Sequence, residues 1–294
     1  MKKVATIIFA AILSISFISC NKQDDKNAKT TNEKLNVVVS FNPLKEFTEV
    51  IGGEKVEVKS LVPEGSEPHD FEPKTKDLAN LSKSDMFVYN GLGMEDWADK
   101  VIDSVKNNVK EIVDASKGCN IIKTEGKIDP HIWLSLKEAK IECLNIKDSL
   151  IKLDEKNKDY YTKNYEAYVK QLDDLYNQNK ERFERIKNKD FVTGHEAFGY
   201  LCRDFGLEQK SIEDVFGEGE VTPQKLKELT DYCKQYNIKT IFMESLASPK
   251  VSETLAKEVG AKVEKIYTIE SKEDNKSYIE SMKYNLDKIY DALK

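Results

Sequence analysis

The chain has 294 residues, 33% of them charged, with 46 Lys and Arg against 52 Asp and Glu and a net charge of −6. An acidic balance leaves no basic stripe to neutralise phosphates, which argues against nucleic acid as a partner. The five cysteines form no CxxC pair, so neither a thiolate zinc site nor a thioredoxin-like motif is supported. Spacing assigns no disulfide among Cys119, Cys143, Cys202 and Cys233, and their expected place is as small buried apolar residues.

Residues 1–20 read as an export signal rather than as part of the fold. Lys2 and Lys3 precede a charge-free apolar run from Val4 to Ile18, too short and wrongly flanked for a stable membrane span. Phe17-Ile18-Ser19-Cys20 resembles a bacterial lipobox, which predicts lipidation at Cys20; the alternative is an ordinary signal with a chance cysteine. Removing this segment takes away two Lys and no acid, leaving 44 basic and 52 acidic residues, a net of −8. Residues 21–34, rich in Lys, Asp, Asn and Thr, cannot bury enough surface to offset their ordering entropy and are predicted to be a flexible tether. A lipid plus a spacer holds a soluble domain close to a membrane.

From 35 to 153 strand and helix signals alternate. Leu35 to Phe41 is a β-branched run ended by Asn42-Pro43, and Leu44 to Ile51 a helix stopped by Gly52-Gly53. Strand patterns follow at Val56 to Val62, Met86 to Tyr89 and near Val109 to Val113, with helices at Lys76 to Leu81 and near Trp97 to Val105. Such alternation implies parallel pairing with right-handed crossovers. Residues 154–188 differ: no Gly or Pro falls between Asp154 and Lys187, and Tyr161, Tyr165, Tyr168, Leu172, Leu175, Phe183 and Ile186 recur at helical steps broken by Asn179. That predicts one continuous helix of roughly 50 Å at 1.5 Å per residue. A coiled-coil dimer is the alternative, but the flanking α/β grammar favours a backbone helix joining two lobes of a monomer.

Residues 189–294 repeat the grammar. Strands are predicted at Phe191 to Thr193, Lys239 to Met243 and Lys262 to Tyr267, and helices at Glu196 to Phe205, Pro223 to Tyr236, Ser248 to Val259 and Ser277 to Leu293. Thr222 stands as an N-cap ahead of Pro223. The expected fold is therefore α/β, with two lobes, each a mainly parallel sheet flanked by helices, joined by one long helix.

Only three histidines occur, each in a turn: Glu-Pro-His-Asp at 67–70, Asp-Pro-His-Ile at 129–132 and Thr-Gly-His-Glu at 193–196. Any one of them is more ordinarily a satisfied core or surface residue. Together, at the ends of separate elements, they fit the way open α/β sheets gather ligands beyond the carboxyl ends of their strands. Neutral imidazole is a preferred zinc ligand, and a fourth ligand completes a tetrahedron. Candidate acids are Glu270 after the last strand, Glu244 after KTIFM, and Glu220 ahead of a helix, each of which also reads as a solvated loop carboxylate.

VVVSFNPL at 37–44, LVPEGSEPHDFEP at 61–73, VYNGLGMEDW at 88–97, DPHIWLSL at 129–136, HEAFGYLCRDFGL at 195–207 and IFMESLASPKVSETLAKEVGAKV at 241–263 carry a resemblance that runs from Leu35 to Lys294. On them the chain resembles the zinc-type (ZnuA-like) metal-binding proteins of bacterial ABC importers. The resemblance implies two α/β lobes joined by a long helix, with metal in the cleft between them. It places the family's first two metal histidines on His69 and His131. The third ligand falls on His195, where manganese-type relatives resemble one another in carrying a Glu. The fourth, an Asp in a sequence like YTDS, falls on Glu270 within Tyr267-Thr268-Ile269-Glu270-Ser271. The long His-rich loop of many zinc-type members is replaced by Lys117 to Lys127, short and without His, which puts an accessory zinc-capturing role in question.

The function so implied is an extracytoplasmic receptor, not an enzyme, that captures Zn²⁺ and delivers it to an ABC permease and its ATPase while held to the membrane by a lipid on Cys20. One alternative is a manganese- or iron-type receptor of the same fold, though three nitrogens suit zinc and Mn²⁺ prefers more oxygen. Another is a zinc hydrolase with three His and a water; His195-Glu196 begins like HExxH, but Gly199 stands where the second His is needed. A surface adhesin of the same fold is the third. The long helix predicts small lobe movements, with rearrangement confined to loops around His131 and Glu270.

Overall fold

A computed structural model describes residues 34–124, 126–217, 222–245 and 249–294. The export signal with Cys20, the tether up to residue 33, and Glu220 lie outside the described residues. The first half runs β1 (Leu35–Val39), α1 (Asn42–Gly52), β2 (Val56–Ser60), α2 (Thr75–Leu81), β3 (Met86–Tyr89), α3 (Ala98–Val105) and β4 (Glu111–Asp114). A short hairpin of β5 (Lys123–Thr124) and β6 (Lys127–Ile128) follows, then α4 (Leu136–Leu153) and the long α5 (Lys158–Arg185). The second half comprises β7 (Asp190–Thr193), α6 (Gly199–Phe205), β8 (Glu208–Ser211), α7 (Pro223–Gln235), β9 (Thr240–Glu244), α8 (Pro249–Val259), β10 (Lys262–Ile266) and α9 (Tyr278–Leu293). Among the described residues no helix is long and apolar enough to cross a membrane.

Both main sheets are wholly parallel and wound alike. Their orders are β2-β1-β3-β4 and β8-β7-β9-β10, so in each half the first strand lies between the second and the third. Strand order reverses between β1 and β3 and again between β7 and β9, the places where open sheets leave a crevice at their carboxyl ends. Side chains alternate across each strand. Val37 and Val39 of β1 and Phe191 and Phe242 of β7 and β9 face one core that continues through α1, α4, α5 and α9. Val38 and Phe87 face a second cluster with Trp97 and Val101, and Val192 and Ile241 a third with Leu229 and Leu255. The near-continuous apolar runs of these strands follow from burial on both faces.

The long helix keeps its predicted stripe and shifts its start. Asp154 leaves helical geometry, and its carboxylate accepts from Asn157 Nδ2 (2.6 Å) and Tyr161 Oη (2.8 Å). Local side-chain bonds of this kind compete with the helical ladder, so a 3₁₀ turn at Glu155–Asn157 precedes α5. Its 28 residues then span about 42 Å. Tyr161, Tyr168, Leu172, Leu175 and Phe183 are buried against the protein's own helices, Tyr168 beside Phe47 and Phe183 beside Phe205 and Tyr290, so the stripe is covered within the chain. Asn179 is buried as well and satisfied: it donates to the Leu175 carbonyl (2.9 Å) and accepts from Arg182 (2.7 Å), which also pairs with Asp287 of α9.

Further elements differ from the sequence expectation, the unannounced β5–β6 hairpin among them. Strand β8 (EQKS) has no apolar alternation to announce it. Helix α6 starts at Gly199 rather than Glu196, because Phe198 N–H bonds to Gln209 Oε1 and the His195 carbonyl accepts from Thr193 Oγ1 and Gln209 Nε2, holding the segment as a turn. The cap read at Thr222 holds, its Oγ1 accepting from Lys225 N–H, and the structure adds a reciprocal capping box between Ser277 and Glu280. Cys119, Cys143, Cys202 and Cys233 are all free thiols.

Candidate metal centre

The three histidines converge from three separate turns. His69 lies in the loop between β2 and α2, His131 between β6 and α4, and His195 directly after β7. His195 thus occupies the expected strand end, whereas His131 follows the small hairpin rather than a strand of a main sheet. One ligand nitrogen from each lies within 4.8 Å of the other two. His69 Nε2 and His131 Nε2 are 3.3 Å apart. Zinc–nitrogen bonds of 2.0–2.1 Å at tetrahedral angles set neighbouring ligand atoms about 3.3 Å apart. Glu270 Oε1 stands 3.7 Å from His131 Nε2 and 3.9 Å from His69 Nε2, a few tenths of an ångström outside that spacing.

Acids two residues behind His69 and His131 shape their turns. In Asp129-Pro130-His131 the Asp129 carboxylate accepts from the His131 backbone N–H (2.9 Å) and lies 2.8 Å from its Nδ1. With Nδ1 as the donor, the Nε2 lone pair faces the other histidines. In Glu67-Pro68-His69 the Glu67 carboxylate likewise accepts from the His69 backbone N–H (3.3 Å). The intervening proline fixes φ and helps the acid reach back over the turn. Neither acid was singled out from the sequence, although the repeated acid-Pro-His pattern is the signal that finds them.

His195 is held differently. Its backbone N–H donates to Glu244 Oε1 (3.0 Å) at the end of β9, and its Nε2 is buried without a hydrogen-bond partner. Glu244, weighed as a ligand from the sequence, is turned to the backbone in this role. Gly194 makes the approach possible, since a Cβ there would lie 2.5 Å from Glu244 Oε2. Gly199 does the same for Asp129: a Cβ at that position would lie 2.7 Å from its Oδ2.

Glu270 is positioned by a loop pinned to the first half. Trp133 Nε1 donates to the Thr268 carbonyl (2.7 Å), Asn42 Nδ2 to the Ile269 carbonyl (3.2 Å), and the Gly65 N–H to Ser271 Oγ (2.7 Å). Ile269 is driven to φ +64°, an uncommon conformation for a β-branched residue. Thr268 Oγ1 donates to Glu270 Oε2, which leaves Oε1, buried and without a hydrogen-bond partner, facing the imidazoles.

The electrostatics favour a cation. Burial pushes His69 down to about 2, reinforced by His131 and His195; it pushes His131 and His195 down to about 3. All three rings are therefore neutral near pH 7 and offer lone pairs without first losing a proton. Burial also raises the carboxyls around them: Asp129 to about 7, Glu244 to about 8, and Glu270 well above its ordinary value with help from the neighbouring Glu67 charge. Neutral rings beside crowded buried carboxyls form a site that a divalent cation relieves.

The family described as "Zinc-uptake complex component A periplasmic", ZnuA, matches residues 37–292 of this chain. The high-affinity zinc uptake system protein ZnuA of Bacillus subtilis is 36% identical, over 99% of this chain and 98% of its own. A manganese ABC transporter substrate-binding lipoprotein, PsaA of Streptococcus pneumoniae, is 33% identical over 100% and 99% of the two chains. The Zn(II)-bound ZnuA-like domain of Streptococcus pneumoniae AdcA superposes with a TM-score of 0.78 at 35% identity, covering 88% of this chain and 99% of that one.

Proposed function

We propose that this chain, which belongs to the zinc-uptake complex component A (ZnuA) family, holds one Zn²⁺ on His69, His131, His195 and Glu270 and delivers it to an ABC permease and its ATPase. It is a binding protein rather than an enzyme, and its place is outside the cytoplasm, with a lipid on Cys20 as the anchor. The observation that carries the ligand assignment is the convergence of three buried, neutral imidazoles on one point, with the His69 and His131 nitrogens already at zinc spacing. Three nitrogens and one oxygen suit zinc better than manganese.

Capture is stepwise ligand exchange: water leaves the ion as each imidazole and the Glu270 carboxylate replaces it. Asp129 keeps the His131 ring oriented throughout. The apolar core shared by both halves and α5 opposes a wide hinge, so release proceeds through the turns that carry the ligands. A large rigid-body rotation between zinc-bound and zinc-free crystal structures would overturn that mechanism.

The deciding experiment is a competition titration of the purified protein against Zn²⁺ and Mn²⁺, with stoichiometry by elemental analysis. One tightly held zinc per chain, lost in His131→Ala, is expected. Preference for manganese would overturn the metal assignment, and no tight metal would overturn the receptor reading. Labelling with a radioactive fatty acid in cells, present in the native chain and absent in Cys20→Ala, tests the anchor.

A further inference from the structure

Glu67 does more than shape its turn. Its carboxylate, a nitrogen of His69 and an oxygen of Glu270 all lie within 4.8 Å of one another. His69 therefore belongs to two overlapping ligand sets, one with His131 and His195 and one with Glu67 and Glu270. The sets differ in depth. His131 is 0% exposed and His195 is buried, whereas Glu67 is only partly buried. Glu270 Oε1, buried and unpartnered, lies 3.9 Å from His69 Nε2 and 3.7 Å from His131 Nε2, so it serves both sets.

We propose that Glu67, His69 and Glu270 form an outer, transient zinc position through which the ion enters and leaves the deeper one; this rests on the zinc-receptor reading above. A hydrated ion arriving at the buried histidines alone would have to shed several waters before gaining its protein ligands. Two sets that share His69 and Glu270 remove that difficulty. The ion first trades water for Glu67, His69 and Glu270, then trades Glu67 for His131 and His195, and never leaves the two shared ligands. The 3.9 Å between His69 and Glu270 exceeds the about 3.3 Å edge of a zinc tetrahedron. That spacing is common to both positions, but the outer set offers only three protein groups, so it retains water and holds the ion only briefly.

The test is stopped-flow zinc exchange against a fluorescent chelator, comparing the native protein with Glu67→Gln, whose amide oxygen still accepts from the His69 N–H. Association and dissociation are expected to slow together, each by about tenfold, the scale on which single partners around a metal act. A His131→Ala/His195→Ala double variant supplies the second readout. Checked as folded by circular dichroism, it should keep weak zinc binding that disappears when Glu67→Gln is added. Unchanged exchange rates in Glu67→Gln, with one zinc still bound per native chain, would overturn the outer position and leave the receptor standing. Faster dissociation with unchanged association would make Glu67 an ordinary ligand of the deep site and overturn it equally. Failure of the native protein to bind zinc would instead overturn the receptor reading itself.

Discussion

His131 is fixed by a carboxylate two residues behind it, whereas His195 is fixed by one 49 residues away in sequence. The first half builds its histidine turns from local acid-Pro-His units, in which the side chain that holds the histidine travels with it. The second half uses a strand end. Parallel pairing of β7 with β9 brings Glu244 beside the His195 backbone, and Gly194 leaves room for it. Local turns tolerate changes elsewhere in the sheet; a strand-end histidine inherits every error of register. The contrast is not complete, because the Asp129 turn leans on the second half through Gly199 and through Tyr200 Oη, which donates to the Asp129 carbonyl (2.7 Å).

Replacing the strand-end nitrogen tests the contrast most severely. His195→Glu should lower zinc affinity by more than the about 10–100-fold that outer partners carry, and should raise relative affinity for manganese. Competition titration reads both, and an unchanged zinc-to-manganese ratio would refute the role of His195 in selectivity. Next in size are Glu244→Ala and Gly194→Ala, which remove or displace the His195 anchor; each should cost about 10–100-fold in zinc affinity. Glu244→Gln keeps an acceptor for the His195 N–H and should recover most of that loss. Failure of this rescue would mean that the carboxylate acts through its charge rather than by holding the backbone.

Asp129→Asn should cost less, about tenfold, because the amide oxygen can still accept from His131 while the charge is lost. Gly199→Ala, which drives a methyl against Asp129, should match it in direction. A Gly199→Ala variant with native zinc affinity would show that the first-half turn is autonomous after all.

The smallest effect concerns an acid that neither region uses. Glu142 on α4 is fully buried, and both its carboxyl oxygens lack a partner. Burial raises it well above the ordinary value of 4.5, so the folded protein holds this proton more tightly than the unfolded chain. The sign follows from linkage: stability is full below 4.5 and declines as pH rises from there towards the raised folded value. Glu142→Met should flatten that slope, stabilise the protein at neutral pH by about 1–3 kcal/mol, and leave zinc binding unchanged. Thermal melts across pH check the first two and titration the third. A destabilised Glu142→Met would mean that the carboxyl is satisfied in solution.

The parts legible in the sequence are those governed by short range. Near-continuous β-branched runs such as LNVVV, the three-four spacing of Tyr161, Tyr168, Leu172 and Leu175, and the caps at Thr222 and Ser277 each state their structure within a few residues. The Pro and Gly flanking each histidine likewise marked the turns. The same strand order in both halves, the crevice it leaves, and the distances among His69, His131 and His195 were set only when the sheets closed, because pairing partners lie tens of residues apart.

Glu270 is the clearest case of a tertiary decision. Its own sequence reads as a loop acid, and three hydrogen bonds from Trp133, Asn42 and Gly65 to its neighbours hold the loop against the first half. The anchoring role of Glu244, which the sequence offered only as a ligand, was hidden for the same reason: a carboxylate against a glycine 50 residues earlier has no periodicity to betray it. Sequence determined which residues turn, cap and alternate, since those depend on local sterics and hydrogen bonding. Tertiary structure decided which side chains meet, since burying apolar faces on both sides of two sheets fixes their mutual position and draws the three histidines together.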